Sequence, residues 1–451
     1  MGHTFHFIPI ALSLGCALFC QSPAATLRVE GADPHLTTFL CARTASLRSA
    51  LPSPLGNGMD AAFTVLGRLR VGDFAAAHDA LDAARAAMVL PADDEVRPTD
   101  VAWLVVAHYW YLRASRDTAM IRERWPWLRA VAQRAAAAPG PSPATFVHEA
   151  MLVHCLFCLG GLQDTLDRIE RPARWRSSAP SPRPGAEWTC AAVTRQIELE
   201  RSAWQPGRGH FRAHLTAGTI ALPERADVSL LAPAAAGLLV ATSDRMLRHL
   251  RAVVADEQAT TNCLHAFAEP FLPLTAALAL SAATQLDDEA ARSTFWSQLV
   301  ELDPVAPRIE TAVAGAQLDG ACFALTGLRL ATGAGLDEDW VRMRPWLPPH
   351  HDHLVLRGLH ADGAHFELEL SVRTGPLHDD EAGEPAIATC AASGSRLRVR
   401  LTLVATAGST SRTVIVQGAG VQYLAEMRCG DVLERSLPRS DAEAQHESRR
   451  R

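Results

Sequence analysis

The sequence contains no lysine, and all 43 of its positively charged side chains are arginines. This absence excludes Schiff-base and lysine-base chemistry, because both need an amine whose pKa the protein can lower. The net charge of -6 provides no excess of positive charge, which nucleic-acid-binding domains carry, so we expect no nucleic-acid partner. Only three tyrosines are present. A ligand site in this chain therefore draws on few polar aromatic side chains.

The chain also lacks a long apolar run after residue 25, so no membrane span is expected. Residues 5–20 form a shorter apolar run, and Ser22-Pro23-Ala24 after it is typical of a signal-peptide cleavage site. A positive n-region is missing, since only His3 and His6 lie where it would be. Residues 1–25 are thus either a signal peptide, which favours a periplasmic or secreted protein, or a misassigned start of the chain.

Two groups of residues have metal-ligand side chains, and neither predicts a metal site. Cys155 and Cys158 form a CxxC in an apolar helical run without a second pair at zinc spacing, which favours buried thiols. Residues 350–353 are His-His-Asp-His, and a solvated linker is favoured there because nothing fixes a closed zinc shell. The sequence has no P-loop, no GxSxG and no GxGxxG between a strand and a helix. We therefore predict no metal and no cofactor.

Helical periodicity extends from about residue 59 to residue 332. Residues 101–112 are apolar nearly all round, which predicts a helix surrounded by other helices. Residues 118–137 alternate arginines with apolar residues and predict an outer helix with one dry face. The same alternation continues to a last helix over residues 318–331. About twelve helices, joined by short loops, are expected to form antiparallel hairpins.

After residue 340 the apolar period changes from helical to two. Residues 366–372 and 397–403 alternate apolar and polar side chains, which predicts strands with one wet face. Ala361-Asp362-Gly363 is a hairpin turn signal. We predict a small antiparallel β domain over residues 341–437 and a disordered tail over residues 438–451.

Four stretches in order resemble the six-hairpin glycosidase superfamily, in its glucoamylase-like and glycogen-debranching-like branches. They are residues 56–63; residues 99–103 with His108, Tyr109 and Asp117; residues 227–233; and residues 344–349 with residues 354–359 and Gly363. Their order and spacing across about residues 55–372 carry the resemblance. It implies a mainly α protein, with an (α/α)6 toroid of helical hairpins over residues 57–340 followed by a small antiparallel β-sandwich. Residues 26–56 would be a linker and leading helix, and the N-terminal β-sandwich of larger members is expected to be absent.

The resemblance implies a glycoside hydrolase that acts on α-glucosidic or related oligosaccharides by inversion. Such cleavage needs two carboxyl groups about 6.5–9.5 Å apart, supplied in this superfamily by loops at one mouth of the toroid. Glu310, before the last helix, resembles the general base. Glu187 and Glu149 remain alternatives for the general acid, Glu187 by a loose resemblance and Glu149 because an apolar helix would raise its pKa. Structural roles are open for all three: a solvated loop residue, a helix-terminus charge and an arginine partner.

Four further residues are implied as sugar-binding groups: Asp60, Asp100, Trp103 and Trp188. The carboxylates would hold sugar hydroxyls and the indoles would stack on pyranose faces. Helix capping for the aspartates and core packing for the tryptophans are the alternatives. Met59 departs from the family, which has arginine there. An inactive toroid that binds carbohydrate or protein, and a truncated or decayed gene product, are therefore kept as alternative functions.

Overall fold

The structure is a computed structural model. It describes residues 27–31, 34–49, 58–89, 97–137, 145–171, 183–213, 215, 226, 228–235, 237, 244–255, 272–301, 310–328, 340–348, 350–373, 396–406, 410–418 and 421–438. Residues 1–25 and 439–451, on which the predictions of a signal peptide and a disordered tail depend, lie outside the described residues.

Twelve α-helices occupy the described part of the chain before the β domain. They are α1 (Pro34–Ser49), α2 (Gly58–Arg70), α3 (Phe74–Val89), α4 (Pro98–Ser115), α5 (Thr118–Ala137), α6 (Phe146–Glu170), α7 (Ala186–Ala203), α8 (Ala232–Ala235), α9 (Asp244–Ala255), α10 (Leu272–Gln285), α11 (Glu289–Trp296) and α12 (Thr311–Thr326). A 3-10 turn, Val228–Leu231, leads into the short α8.

The even-numbered helices form a closed inner ring. Each contacts the next in the order α2, α4, α6, α8, α10 and α12, and α12 packs against α2 to close the circle. The odd-numbered helices lie outside: α3 and α5 pack on α4, α7 packs on α6, α11 packs on α10, and α1 packs on α12. The prediction of an (α/α)6 toroid followed by a small β domain is confirmed.

Burial follows from the apolar patterns of the two layers. Helix α12 is buried continuously from Ala312 to Thr326, as a helix surrounded by others must be. Helix α5 buries only one stripe, with Ile121, Arg124 and Leu128 at spacings of three and four residues. Close approach between α2 and α12 depends on glycine, because a Cβ atom at Gly67 would lie 2.5 Å from the Cα of Gly315.

Two helix boundaries differ from the sequence prediction. Helix α12 begins at Thr311 rather than at residue 318, and it ends at Gly327, whose φ of 55° is in the left-handed region that favours glycine. Helix α6 is continuous through Gly160 and Gly161, whereas the sequence pattern predicts one helix that ends at Gly160 and a short second helix over residues 162–169. These glycines instead permit a close helix contact, because Gly160 lies against Gly185 of the loop before α7.

The C-terminal β domain has two sheets. The strands are β1 (Arg28–Glu30), β4 (Trp340–Met343), β5 (His353–Ala361), β6 (Ala364–Arg373), β7 (Arg396–Thr406), β8 (Ser411–Gly418), β9 (Val421–Arg428) and β10 (Val432–Pro438). One sheet has five strands in the order β1-β5-β6-β7-β10, and the other has three in the order β4-β8-β9. The numbers β2 (Trp204–Gln205) and β3 (His210–Phe211) belong to a small hairpin after α7.

Two features of the sheets go beyond the predicted antiparallel strands of residues 341–437. The first strand, β1, comes from the start of the described chain and pairs antiparallel with β5. Strand β4 pairs parallel with β8. The remaining pairs are antiparallel, and alternate residues such as Leu368 on β6 and Leu401 on β7 are fully buried.

Residues 343–348 attach the β domain to the ring. Trp346 packs edge-on against Trp296 of α11, with ring centroids 5.6 Å apart. Arg292 of α11 lies over the Trp346 ring, and Arg344 makes an ion pair with Asp287. The linker therefore lies between the outer helix α11 and the C-terminal end of the inner helix α12, where the amide of Trp346 donates to the carbonyl of Leu325.

Candidate functional site

The inner helices α2, α4, α6 and α12 begin at the same end of the ring. Asp100 of α4 contacts Gly58 at the start of α2, and His148 of α6 contacts Thr99 of α4. Helix α12 is parallel to α2, because Gly315 contacts Phe63 and the later Asp319 contacts the later Arg70. We call these four first turns (residues 58–61, 98–101, 146–149 and 310–314) the N-terminal mouth.

Four of the five candidate carboxylates lie at this mouth. Asp60, Asp100 and Glu149 are in the first turns of α2, α4 and α6, and Glu310 is the residue before α12. Negative charge at a helix N-terminus is stabilised by roughly 0.3–1 kcal/mol, so each position also suits the stability of its own helix. The fold nevertheless gathers four acidic groups at one end of the ring.

Glu310 is the most accessible of these carboxylates. It is exposed, and its backbone accepts a hydrogen bond from the amide of Ala314. Its side chain makes no capping hydrogen bond to α12. An exposed carboxylate that does not cap its own helix is available to a ligand at the mouth.

Asp60 leaves α2 on the side that faces α12. It precedes Gly67 by two helical turns, so the two residues lie on the same face of α2. A Cβ atom at Gly67 would point at Gly315 of α12 and Leu47 of α1. Gly315 is level with Phe63 and Gly67. Because the helices are parallel, Glu310, five residues before Gly315, is level with Asp60. The fold therefore makes Asp60 and Glu310 neighbours on adjacent inner helices, whose axes are typically about 8–10 Å apart.

Asp100 has a structural partner. Its Oδ1 accepts a hydrogen bond from the backbone amide of Gly58 at 3.0 Å, which satisfies one of the free amides at the start of α2. A Cβ atom at Gly58 would lie 2.1 Å from the Asp100 carbonyl oxygen, so the two helix starts touch. Asp100 thus caps the neighbouring helix, whereas the capping alternative considered from the sequence concerned the start of its own helix.

His148 is a further mouth residue and is not among the candidates predicted from the sequence. Its Nδ1 lies 2.6 Å from the Thr99 hydroxyl, and its backbone amide donates to the hydroxyl of Thr145, the N-cap of α6. Burial lowers the pKa of His148 from its ordinary value, against the opposing effect of Glu149. The one sign of this position in the sequence is the Thr-x-x-His spacing, in which Thr145 caps the helix that contains His148.

Glu149 is half-buried and lies on the outer side of α6. It precedes Gly160 by 11 residues, which is close to three turns, so both leave the helix on the same face. A Cβ atom at Gly160 would lie 2.7 Å from Oγ1 of Thr189 on α7. Glu149 therefore points towards α7. Its side chain reaches the mouth only by bending around the first turn of α6.

The structure does not bring Glu187 and Trp188 to the mouth. Both are on α7, where Glu187 is exposed and the Trp188 indole donates to Gln163 of α6 at 2.7 Å. Gln163 is 14 residues along α6 from Glu149, which corresponds to about 21 Å at 1.5 Å per residue. Trp103 is 2% exposed and packs on Phe63 with centroids 5.3 Å apart, as a core residue does.

The opposite end of the ring is covered by the β5–β6 turn. The Asp362 carboxylate accepts from Nε of Arg113 at 3.2 Å, and its carbonyl accepts from Arg116 at 2.9 Å. Burial acts to raise the pKa of Asp362, but Arg113, Arg116 and Arg70 together lower it. Here a cavity of about 20 Å³ between α2, α4 and the turn has room for about one water molecule. This cavity is too small to hold a sugar ring.

Side chains with metal-ligand chemistry are placed as follows. Cys155 and Cys158 are buried in α6, and burial raises the pKa of Cys155 to about 12. His353 pairs with Glu369 across β5 and β6 at 3.4 Å. Over the described residues, no three histidine, cysteine or acidic side chains are grouped to hold a metal ion.

One described helix, α6, is long and apolar enough to cross a membrane by length and composition. It is an inner helix of the ring, and 83% of its most apolar window is buried inside the protein. Its apolar character is therefore explained by contacts with α4, α7 and α8.

No protein family model matches the chain, and no curated protein matches it. Among solved structures it is similar to a rhamnosidase from Klebsiella oxytoca with rhamnose bound, at 13% identity and a TM-score of 0.44. That match covers 67% of this chain and 65% of the rhamnosidase, slightly under two thirds of its length. It is also similar to a protein assigned as a kojibiose phosphorylase from the human microbiome, at 10% identity and a TM-score of 0.36, over 75% of this chain and 46% of the other. Both neighbours are named as carbohydrate-processing enzymes, and likeness at this level assigns no residue a role.

Proposed function

We propose that this protein is a glycoside hydrolase that acts on an α-glucosidic or related oligosaccharide at the N-terminal mouth. The observation that carries the proposal is the juxtaposition of Asp60 and Glu310 at the end of a closed ring of helical hairpins that lies opposite the β5–β6 turn. The β5–β6 turn covers the other end. The resemblance to the six-hairpin glycosidases in the order of the sequence motifs gives the proposal its reaction class.

In the proposed reaction Glu310 acts as general base. Its carboxylate takes a proton from a water molecule, whose oxygen attacks the anomeric carbon from the face opposite the leaving group. Asp60, beside it, accepts hydrogen bonds from hydroxyls of the non-reducing sugar. The product sugar has the inverted anomeric configuration.

Glu149 is the proposed general acid, because it lies at the mouth, whereas Glu187 is next to Trp188, which contacts α6 at Gln163, about 21 Å along the helix from Glu149. Its proton goes to the glycosidic oxygen as the bond to the anomeric carbon breaks. Helices α6 and α12 are opposite one another in the ring of six, so their axes are roughly 16–20 Å apart and facing Cα atoms roughly 11–15 Å apart. Because Glu149 leaves α6 towards α7, this role requires its side chain to turn inwards over the first turn of α6 to come within the separation of about 6.5–9.5 Å used by inverting enzymes.

A hydrolysis screen over aryl α-glycosides and malto-oligosaccharides tests the proposal, with the anomer of the product followed by NMR. Glu310→Gln should lower kcat at least about a thousandfold, and Glu149→Gln should lower it about a hundredfold, because proton transfer contributes about 10²–10⁴ in rate. Glu123→Gln, an exposed position on α5, is the matched control and should retain full activity. Release of sugar that is insensitive to Glu310→Gln would reject the assigned base.

The second candidate is a toroid that binds carbohydrate without cleaving it. Three placements favour it: Trp103 is core, Asp100 caps α2, and Glu149 points towards α7. If this function is correct, no glycoside in the screen releases sugar, whereas calorimetry detects oligosaccharide binding that Asp60→Asn weakens. Catalytic turnover in the unmodified chain would exclude this candidate.

A further inference from the structure

Helix α7 presents an apolar stripe to solvent. Val193 and Ile197 are 44% and 47% exposed, which is unusual for large apolar side chains in the described part of the chain. Cys190, one turn earlier, is exposed and unoxidised. These side chains lie on the face of α7 that is turned away from α6, where Gly185 and Thr189 make the contact with Gly160.

The exposed face of α7 has a central line of side chains at residues 187, 190, 194, 197 and 201, which are separated by three, four, three and four positions. Residues at this spacing lie on one side of a helix. Cys190 and Ile197 in this line, with Val193 beside it, form a small apolar surface between a charged residue at each end. Among the residues that the structure describes, no helix covers this line, and all five side chains are exposed. We call these five residues, with Val193 beside them, the α7 seam.

The charges at the two ends of the α7 seam select the partner and its direction. Glu187 is at one end and Arg201 at the other, and neither makes an ion pair with any described residue. Thr194 is midway between them. A second copy of the seam in the antiparallel direction places Arg201 of one copy against Glu187 of the other, twice. A parallel copy would oppose like charges at both ends, which destabilises a helix pair.

We propose that the protein forms a homodimer through the α7 seam, with the two α7 helices antiparallel and the twofold axis at Thr194. Such an interface is isologous, since the same surface is used by both copies. Ile197 of each protomer packs near Cys190 of its partner, and Val193 flanks the axis. Helix α7 packs on α6, which is opposite α12 in the ring, so Glu310 of each protomer remains accessible in the dimer. This role also gives Glu187 a function away from the mouth.

Sedimentation velocity over about 1–100 µM tests the proposal on the full chain. The unmodified protein should sediment as a dimer in the upper part of this range. Ile197→Asp should raise the dissociation constant at least about a hundredfold. Leu424→Asp is the matched control, because Leu424 is a large apolar side chain, 65% exposed, on β9 of the β domain. A monomer throughout the range, or a dimer lost with Leu424→Asp and kept with Ile197→Asp, would overturn the proposal.

Charge reversal tests the antiparallel direction. Glu187→Arg and Arg201→Glu should each raise the dissociation constant about tenfold, and the double variant should restore it to within about threefold of the original. Circular dichroism should give the same helix content for all variants, since both positions are exposed. If the double variant is weaker than either single variant, the seam does not pair in this direction and the proposed interface is wrong.

Discussion

At the scale of single residues, a carboxylate at the start of an inner helix can serve the fold, the site or both. Asp100 shows why sequence alone leaves this open: its partner, the Gly58 amide, is 42 positions away in the chain. No local pattern contains that contact. Trp103 is similar, because its burial against Phe63 depends on the neighbouring helix. By contrast, the position of Glu310 beside an inner helix could be predicted from the sequence.

The role of Asp100 can be separated from sugar binding by two substitutions. Asp100→Ala removes the acceptor for the Gly58 amide and should lower the free energy of unfolding by about 1 kcal/mol, the usual value for a helix cap. Asp100→Asn keeps an oxygen acceptor and should lie within about 0.5 kcal/mol of the unmodified protein. Urea denaturation measures both. Equal losses in the two variants would show that the charge, rather than the hydrogen bond, stabilises the mouth.

At the scale of elements, periodicity predicts which helices are inner and which are outer. The all-round apolar pattern of α4 and the single stripe of α5 both correspond to their burial. Helix ends are less predictable at glycine, because glycine can either permit a close contact within a helix or end the helix. In α6 the pair Gly160-Gly161 continues the helix because a close neighbour requires it, and at α12 Gly327 ends the helix because its backbone is left-handed. Only the neighbouring element decides between these uses.

The contact of α6 with the loop before α7 gives a prediction at this scale. Gly185→Ala would place a Cβ atom 2.1 Å from the Gly160 carbonyl oxygen, so the two elements must separate. We expect a loss of about 1–3 kcal/mol in the free energy of unfolding, the range for overpacking a close contact. Gly207→Ala is the control, since nothing lies within 4 Å of its Cβ position. A loss no larger than that of the control would contradict the close packing.

At the scale of the whole molecule, the two ends of the toroid differ. The β5–β6 turn of the β domain covers one end, and the N-terminal mouth is at the other. The sequence predicts both domains, because the apolar period changes from helical to two near residue 340. It does not predict that the β5–β6 turn covers one end of the ring. That arrangement depends on Arg113 and Arg116 meeting Asp362, about 250 positions away. The contribution of β1 to the larger sheet is equally non-local.

The central claim is that the N-terminal mouth holds the ligand, and a crystal structure of the Glu310→Gln variant soaked with a malto-oligosaccharide tests it most directly. The substitution removes the proposed base, so substrate should remain uncleaved. We expect a sugar ring at the mouth, with hydroxyls about 2.7–3.2 Å from the carboxylate of Asp60 and from residue 310. Sugar bound instead beside Asp362, or on an exposed face of the β domain, would contradict it.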